Sequence, residues 1–586
     1  MFYETDSLKK PDYFVPRVIE QQKFDKKGRE RKARHFPERE SARDISLYIG
    51  LRLVGNGAIA IFCGRKDTAS NLASRAVEIY ARGLNLPAPA IYSDSDELRR
   101  MESLYRLHFG ELADSTRAAT LGIFSHHGNT PHGIRLSVEH AMQQGKIKFV
   151  ACTSTLAQGV NLPIRYLIVS GVYQGMEKIK VRDFQNLMGR AGRAGMHTEG
   201  LVIFADPAIY DSRITEKWRF KSASDLLNPE RSEPTSSSLL SILGPLYSPM
   251  DVPLGIEPAA LCALLLQDEE VWKSWALEMV SANPGLGFNA LLLTSELRQR
   301  RRLMFAIESY LMANRGTETF PEFLERVTQL TVETLAYSLA DDAQKTALLG
   351  LFNAIAQYVE GRDADPVKQA EYAKTILGIA VSQNIEAWTS ENKDSLLSLD
   401  SNEDLLATIW PLLTEHSHDK FFTSVLPQSL PIELAAMWLQ GQTYQDLFAH
   451  AVAVGGTKPW GETRRKLQDD DIIEFCESTL GFECPLYIAA ITQFLFVDLM
   501  QSNNAAAPLL LFHKALKYGI PDVLAISCYE SGFADRILAQ VLRDSLLDDG
   551  YTGHMFIQAI EPHRERLAAT LSDYPSYFES VLRTIV

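Results

Sequence analysis

The chain has 586 residues of ordinary globular composition, which predicts several domains, and it contains no apolar run long enough to span a bilayer. Its six cysteines are scattered without a CxxC pair, which argues against a disulfide framework or a zinc site and is typical of a reducing, cytoplasmic setting. The net charge of −14 argues against a uniformly basic nucleic-acid-binding protein.

The charge is divided unevenly along the chain. Residues 1–215 contain 31 Lys and Arg against 23 Asp and Glu, a balance of +8. Residues 216–586 contain 28 against 50, a balance of −22. The first part is therefore electrostatically suited to a polyanion, and the second is not, unless it binds with a local face.

Residues 1–44 form a charged segment without a clear hydrophobic period. Seven basic residues and two acidic ones lie between Lys23 and Arg34. We interpret the segment either as a solvated linker or as a basic arm that contacts a nucleic-acid backbone.

Residues 45–215 alternate apolar runs with helical periods. The pattern predicts a first helix over 44–53, although Gly50 inside it weakens that prediction. Apolar runs then predict strands at 58–62, 122–124, 149–151, 166–169 and 200–204, with helices between them. Strands that alternate with helices predict one doubly wound α/β domain with a parallel sheet.

The most informative stretch lies between residues 149 and 195. Two apolar strands are followed by Thr, Asn and Gly residues, and the stretch closes with Gly189-Arg190-Ala191-Gly192-Arg193. Glycines let the backbone approach a ligand closely, and guanidinium groups match phosphate oxygens. The stretch therefore predicts a phosphate site at the edge of the parallel sheet.

Four motifs resemble the second RecA-like domain of superfamily 2 (DEAD/DEAH-box) helicases, in particular the superkiller-type, or Ski-like, group. They are Ala58–Phe62, His126-His127-Gly128 with Arg135, Thr153–Pro163 and Gln185–Arg193. They occur in the family's order and at similar spacing within residues 45–207. The resemblance implies a RecA-like helicase C-terminal fold over 45–215.

The resemblance also implies roles for individual residues. Arg190 and Arg193 match the catalytic arginines that reach the γ-phosphate of ATP, and Gln185 matches a polar residue that helps to place them. Gly159 and Asn161 match positions that couple nucleotide to nucleic acid.

Nucleic-acid contacts are implied at Thr153 and Thr155, whose hydroxyls match donors to a backbone phosphate. Either Arg65 or Lys66 adds a further contact. The pair His126-His127 is more typical of packing at a strand end, and no carboxylate spacing supports a metal site.

A helicase also needs a phosphate-cradling GxxxxGKS/T loop and an acidic DExH-type strand end, which belong to the first RecA-like domain. No segment matches the loop, and the acidic run Leu264–Glu270 reads as the end of a helix. We therefore expect ATP, with Mg²⁺ held by the missing domain, to bind only when another polypeptide, or an upstream coding region, supplies that domain. Because the motifs begin almost at the N-terminus of this chain, we expect no room for that domain before them within the chain itself.

A linker is predicted over 216–237, and residues 238–586 show helical periodicity almost throughout, which predicts an all-α region of one or two subdomains. Position and helicity resemble the helical domains that follow the motor in Ski-like enzymes. Tryptophans in this region are either base-stacking residues or, more commonly, core residues, namely Trp272, Trp275, Trp410, Trp438 and Trp460.

Two functions remain open from the sequence. The first is the C-terminal portion of an ATP-dependent helicase acting on DNA or RNA. The alternative is a non-catalytic nucleic-acid-binding or scaffold protein with a helicase-derived fold, against which the intact arginines argue.

Overall fold

The computed structural model describes residues 19–28, 30–154, 162–174, 177–190, 200–233, 235–248, 252–497, 507–547 and 556–585. Two compact units contain them. The first unit combines the chain up to Glu233 with Ser417–Phe482 and with the residues from Lys514 onward. The second unit combines Pro234–His416 with Glu483–His513. The units are therefore not consecutive stretches of sequence.

The first part of the chain alternates strands and helices. Their bounds are β1 Gln22–Phe24, β2 Arg34–Phe36, α1 Ala42–Leu53, β3 Ile59–Phe62, α2 Lys66–Ala81, α3 Ser95–Phe109, α4 Asp114–Thr120, β4 Phe124–His126, α5 His132–Gln143, β5 Phe149–Cys152, β6 Tyr166–Val169, β7 Tyr173–Gln174, β8 Glu177–Lys178, α6 Val181–Met188, β9 Leu201–Phe204, α7 Ala208–Asp211 and α8 Lys217–Leu226.

Five of these strands form one parallel sheet in the order β4-β5-β3-β6-β9. Strand β3 lies in the middle and pairs with β5 on one side and β6 on the other. All residues of β3, β5 and β6 are buried, as continuous apolar runs require of central parallel strands covered on both faces. The predicted doubly wound RecA-like sheet is confirmed.

One strand lies two residues later than the sequence indicates. The apolar run 122–124 predicts a strand there, but β4 is Phe124–His126. The reason is that Gly122 and Ile123 form the turn that closes α4, since their amides donate to the carbonyl oxygens of Ala119 (2.9 Å) and Ala118 (3.0 Å). The histidine pair therefore straddles the strand end.

Gly50 does not interrupt α1, because the glycine serves packing. The helix runs through it from Ala42 to Leu53, and the Ser41 side chain accepts a hydrogen bond from the Asp44 amide at its start. A Cβ atom at position 50 would lie 2.8 Å from the Phe149 ring. The missing side chain lets α1 approach β5 closely.

The α/β core extends into the predicted arm. Strands β1 and β2 pair antiparallel, and their last residues, Phe24 and Phe36, are buried among the core residues of this domain. In the same domain, the fully buried Asp44 carboxylate accepts two hydrogen bonds from Arg75 (2.7 and 3.1 Å) and so joins α1 to α2.

Helices dominate the next part of the chain, with one short hairpin before them. The bounds are β10 Leu246–Tyr247, β11 Pro253–Leu254, α9 Pro258–Leu265, α10 Glu269–Ala282, α11 Ala290–Ala313, α12 Phe320–Val332, α13 Leu335–Leu339, α14 Asp342–Arg362, α15 Pro366–Ala373, α16 Ile379–Glu391, α17 Lys393–Ser398 and α18 Asn402–His416. The acidic run at 264–270 spans the end of α9 and the start of α10, as predicted.

The last part is also helical and contains a second hairpin. The bounds are α19 Phe421–Ser424, α20 Leu430–Leu439, α21 Tyr444–Ala453, β12 Thr457–Trp460, β13 Thr463–Lys466, α22 Asp469–Glu474, a π-helical stretch Phe475–Glu483, α23 Cys484–Val497, α24 Ala507–Tyr518, α25 Val523–Glu530, α26 Arg536–Leu547, α27 Phe556–Ile560, α28 Arg564–Leu571 and α29 Ser576–Ile585.

The helical character of the region after the α/β domain is thus confirmed, apart from the two short hairpins. Among the tryptophans, Trp272 and Trp438 are core residues, whereas Trp460 is 62% exposed. No helix in the described part of the chain is both long and apolar enough to cross a membrane.

Gly50→Ala is expected to destabilise the first unit by about 1–3 kcal/mol, because the added methyl group must displace the Phe149 ring or the backbone. Differential scanning calorimetry measures the effect as a lower transition temperature.

The matched control is Gly350→Ala within α14, where a Cβ atom meets nothing within 4 Å. This change should be neutral or stabilising by up to about 1 kcal/mol, because alanine has the higher helix propensity. Equal transition temperatures for wild type and Gly50→Ala would contradict the packing argument.

Candidate nucleotide and nucleic-acid site

The C-terminal ends of the parallel strands meet at one edge of the sheet, and polar segments follow three of them there. Arg65 and Lys66 come three and four residues after β3, His127 directly after β4, and Thr153 directly after β5. These segments are joined by backbone hydrogen bonds, from Cys63 to Cys152 (2.7 Å) and from Thr153 to His126 (3.2 Å). Ligands of open α/β sheets bind at such an edge.

The threonine motif lies partly within the described residues. Thr153 is placed at the sheet edge and is 5% exposed. Thr155, Gly159 and Asn161 lie outside the described residues, so their roles stay predictions.

Arg65 and Lys66 differ in what they contact. Arg65 precedes the first turn of α2, its side chain is 61% exposed, and its guanidinium lies 2.9 Å from the exposed Asp67 carboxylate. Such exposed pairs contribute little and exchange readily. The Lys66 ammonium instead donates to Asn129 Oδ1 at 2.8 Å and lies 3.4 Å from Glu474 Oε1. Arg65 is therefore the more available of the two for a phosphate.

Helix α6 leads into the arginine loop and is held firmly at its N-terminus. The backbone amides of Val181 and Arg182 donate to the Glu233 carboxylate at 2.8 and 3.1 Å. Burial by itself raises the pKa of Glu233, but these amide hydrogen bonds outweigh it and hold the pKa below its ordinary value.

The other end of α6 is anchored by side chains. The Phe184 ring stacks on Phe204 of β9 with centroids 6.0 Å apart, and Gln185 Nε2 donates to the Leu226 carbonyl at 2.7 Å. Two residues beyond the helix, the Arg190 amide donates to Leu187 at 3.1 Å and continues the turn. The structure thus fixes the start of the loop, whereas Arg193 lies outside the described residues.

A polar chain around His127 was not foreseen from the sequence. The Asn129 amide donates to His127 Nδ1 (3.3 Å), so the other ring nitrogen, Nε2, carries the hydrogen that faces Ser70 Oγ at 3.1 Å. The Ser70 hydroxyl in turn donates to Asp470 Oδ1 at 3.3 Å. Burial, together with the charges nearby, lowers the pKa of His127 to about 4, so its ring is neutral at pH 7.

This chain of hydrogen bonds is not a hydrolytic triad. A serine nucleophile needs a histidine that accepts its proton and a carboxylate that orients the histidine, whereas here the carboxylate contacts the serine. The sequence pointed to the histidine pair, but it did not indicate that Asp470, which lies 400 positions after Ser70, would join it. His126 contacts the Glu139 carboxylate at 2.6 Å. The described residues contain no metal-binding group of His, Cys, Asp or Glu side chains.

Ser70, His127 and Asp470 also line a cavity of about 350 Å³, which is unsuited to phosphate. Its lining includes four carboxylates and no Lys or Arg, the carboxylates being those of Asp67, Asp114, Asp469 and Asp470. Burial raises the pKa of Asp470 to about 6. An anionic nucleotide would meet like charge in this cavity.

Comparison with known proteins identifies the family of part of this chain. Residues 98–195 match the family model described as the helicase conserved C-terminal domain. The Hachiman protein HamB of Bacillus cereus is 28% identical over 204 residues, which are 34% of this chain and 18% of that protein. The POLQ-like helicase of Caenorhabditis elegans is 32% identical over 157 residues, or 25% of this chain and 16% of that protein.

A third relative is the ATP-dependent DNA helicase Hel308 of Aeropyrum pernix, 40% identical over 86 residues, which are 14% of this chain and 12% of that protein. The matched segments thus span less than a fifth of each of these relatives. Sheet order, motif placement and these matches together show that the chain carries a RecA-like helicase C-terminal domain, homologous to that of superfamily 2 helicases.

Proposed function

We propose that this chain is the C-terminal portion of an ATP-dependent superfamily 2 helicase or translocase of the Ski-like group. The observation that carries the proposal is the shared sheet edge. There Arg65 and Thr153 follow the neighbouring strands β3 and β5, in a domain whose residues 98–195 match helicase C-terminal domains. The long helical region after this domain fits the same group.

The nucleotide half of the site is assigned to the arginine loop. Arg190 and Arg193 would reach the γ-phosphate of an ATP bound on a first RecA-like domain supplied from elsewhere, which would also hold Mg²⁺. Phosphoryl transfer spreads negative charge over the transferred group, and a guanidinium placed there in advance lowers the barrier. The same side of the nucleotide site would include Gln185, Gly159 and Asn161. The anchored helix α6 supports the position of Arg190.

The nucleic-acid half is assigned to the loops after β3 and β5. Thr153 and Thr155 would donate to backbone phosphates, and Arg65, or Lys66, would add a charge-assisted contact. Contacts of this kind position a strand without reading its sequence.

Arg190→Ala is expected to lower the rate of ATP hydrolysis about 10²-fold or more, because the transition state loses a stabilising charge. The assay combines this chain with a polypeptide that carries the first RecA-like domain, in the presence of single-stranded nucleic acid. Arg193→Ala should have an effect of similar size.

Arg182→Ala is the control for Arg190→Ala, because Arg182 lies on α6, the helix that leads to Arg190, and pairs only loosely with its neighbour Asp183, at 3.9 Å. The rate of ATP hydrolysis by the Arg182→Ala variant should match that of wild type. If the Arg190 and Arg193 variants hydrolyse ATP as fast as wild type, the assigned roles are wrong. Nucleic-acid binding that no ATP analogue changes would favour the non-catalytic alternative.

Arg65→Gln is expected to weaken nucleic-acid binding to a similar degree for every sequence and to reduce the slope of log K against log salt by about 1. Lys66→Gln should change the slope less, because its ammonium is engaged by Asn129 and Glu474. Fluorescence anisotropy over a range of salt concentrations measures both slopes.

The control for these two variants is Arg117→Gln on α4, an exposed arginine whose nearest carboxylate, that of Asp114, is 3.8 Å away. It should leave the slope unchanged. A larger effect for Lys66→Gln than for Arg65→Gln would assign the phosphate contact to Lys66.

A further inference from the structure

Residues 421–466 form a helix–turn–helix followed by a β-hairpin. Leu426 pairs antiparallel with Thr457 of β12 through two hydrogen bonds of 3.0 and 2.9 Å, so a single bridging residue precedes the two helices α20 and α21. Strands β12 and β13 then form a hairpin with a two-residue turn that begins at Gly461, whose φ of +60° suits glycine. The bridging residue, the two helices and the hairpin follow the order of a winged helix–turn–helix, and we call residues 457–466 the wing.

The second helix of a helix–turn–helix commonly reads the major groove, but α21 is occupied by packing. Its first residue, Tyr444, is buried, its ring stacks on Phe109 with centroids 5.7 Å apart, and its hydroxyl donates to Glu477. The helix contains no Lys or Arg, and its single histidine, His450, contacts Glu433 at 2.7 Å. The helix therefore offers no cation to a nucleic acid.

The wing, unlike α21, carries basic side chains and an exposed aromatic ring. Its Trp460 is 62% exposed beside the turn, and the Arg465 guanidinium lies 5.2 Å from the centre of the indole ring. The sequence of the wing contains four basic residues and one acidic residue, in a part of the chain that is strongly acidic overall. The four are Lys458, Arg464, Arg465 and Lys466.

One neighbouring carboxylate, that of Asp471, neutralises part of this positive charge and fixes the positions of two of the basic side chains. Asp471 accepts two hydrogen bonds from Arg465, at 2.6 and 2.8 Å, and lies 2.5 Å from the Lys458 ammonium. These contacts hold Arg465 beside the indole. Arg464 donates to carbonyl oxygens of Ser424 and Thr457 and keeps its positive charge, and Lys466 is exposed. The wing thus keeps a net positive charge.

We propose that the wing is a second nucleic-acid contact, which binds a single strand without reading its sequence. Trp460 stacks on an unpaired base, and Arg464 and Lys466 contact the flanking phosphates. An exposed indole suits an unpaired base, whose face is free, whereas a duplex buries its base faces. The inference rests on the proposed function only in that the polymer is nucleic acid.

The wing belongs to the same compact unit as the helicase motifs. Helix α22, which follows it directly, contacts the β3–α2 corner through Asp470 with Ser70 and through Glu474 with Lys66. The helix after the wing therefore packs on the segment that carries Arg65 and Lys66.

The test measures binding of fluorescein-labelled 20-mers of single-stranded dT, single-stranded rU and double-stranded DNA to the full chain by anisotropy. Trp460→Ala should weaken binding of a single strand roughly tenfold and duplex binding much less, because one stacked base is lost. Trp460→Phe should retain most of the affinity. Lys466→Gln should reduce the salt slope by about 1.

The control is Phe482→Ala, which removes a 71% exposed aromatic ring of the same unit that lies outside the wing. It should bind as wild type. If the wild-type chain binds nucleic acid and Trp460→Ala and Lys466→Gln bind equally well, the wing proposal is overturned and the proposed function stands. If the wild-type chain binds none of the three ligands, both proposals fail.

Discussion

The pairing of β3 with β5 on one side and β6 on the other is the constraint on which the rest of this structure depends. Parallel strands direct all their C-terminal ends to one edge, so the segments after β3, β4 and β5 must lie near one another although they are far apart in sequence. Because the three central strands are fully buried, their register is set by packing on both faces. The glycine at position 50 is part of that packing, since it lets α1 lie against Phe149.

The edge built in this way carries groups suited to polyanions, among them Arg65 and Thr153. Arginines that approach a γ-phosphate from one side need a partner domain that holds the remaining phosphates and the metal ion. Contacts with Glu233, Phe204 and Leu226 anchor α6, the helix that leads to Arg190. This anchoring supports the proposed function, because a catalytic guanidinium is effective only when its position is fixed in advance.

The helical residues after position 417 are partly an extension of the α/β domain. Asp535 is buried and its carboxylate contacts His108 of α3 at 2.8 Å, while two backbone amides of α26 donate to its other oxygen. Lys146, just before β5, contacts Glu97 and the Ser576 hydroxyl at the start of α29. Burying charged groups costs free energy unless they are paired. These contacts therefore favour a single packing of α26 and α29 against the α/β domain.

The sequence by itself determined the α/β domain, its parallel sheet and the motifs at the sheet edge, because apolar periods and glycine-arginine spacing are local properties of the chain. It also indicated the helical character of the later region. Only the tertiary structure decided that Lys66 is engaged by Asn129 and Glu474 while Arg65 is exposed, and that His127 is joined through Ser70 to Asp470. It alone separated the exposed Trp460 from the buried Trp438. The physical reason is that burial and pairing depend on which distant segments fold against a residue, and no local period records that.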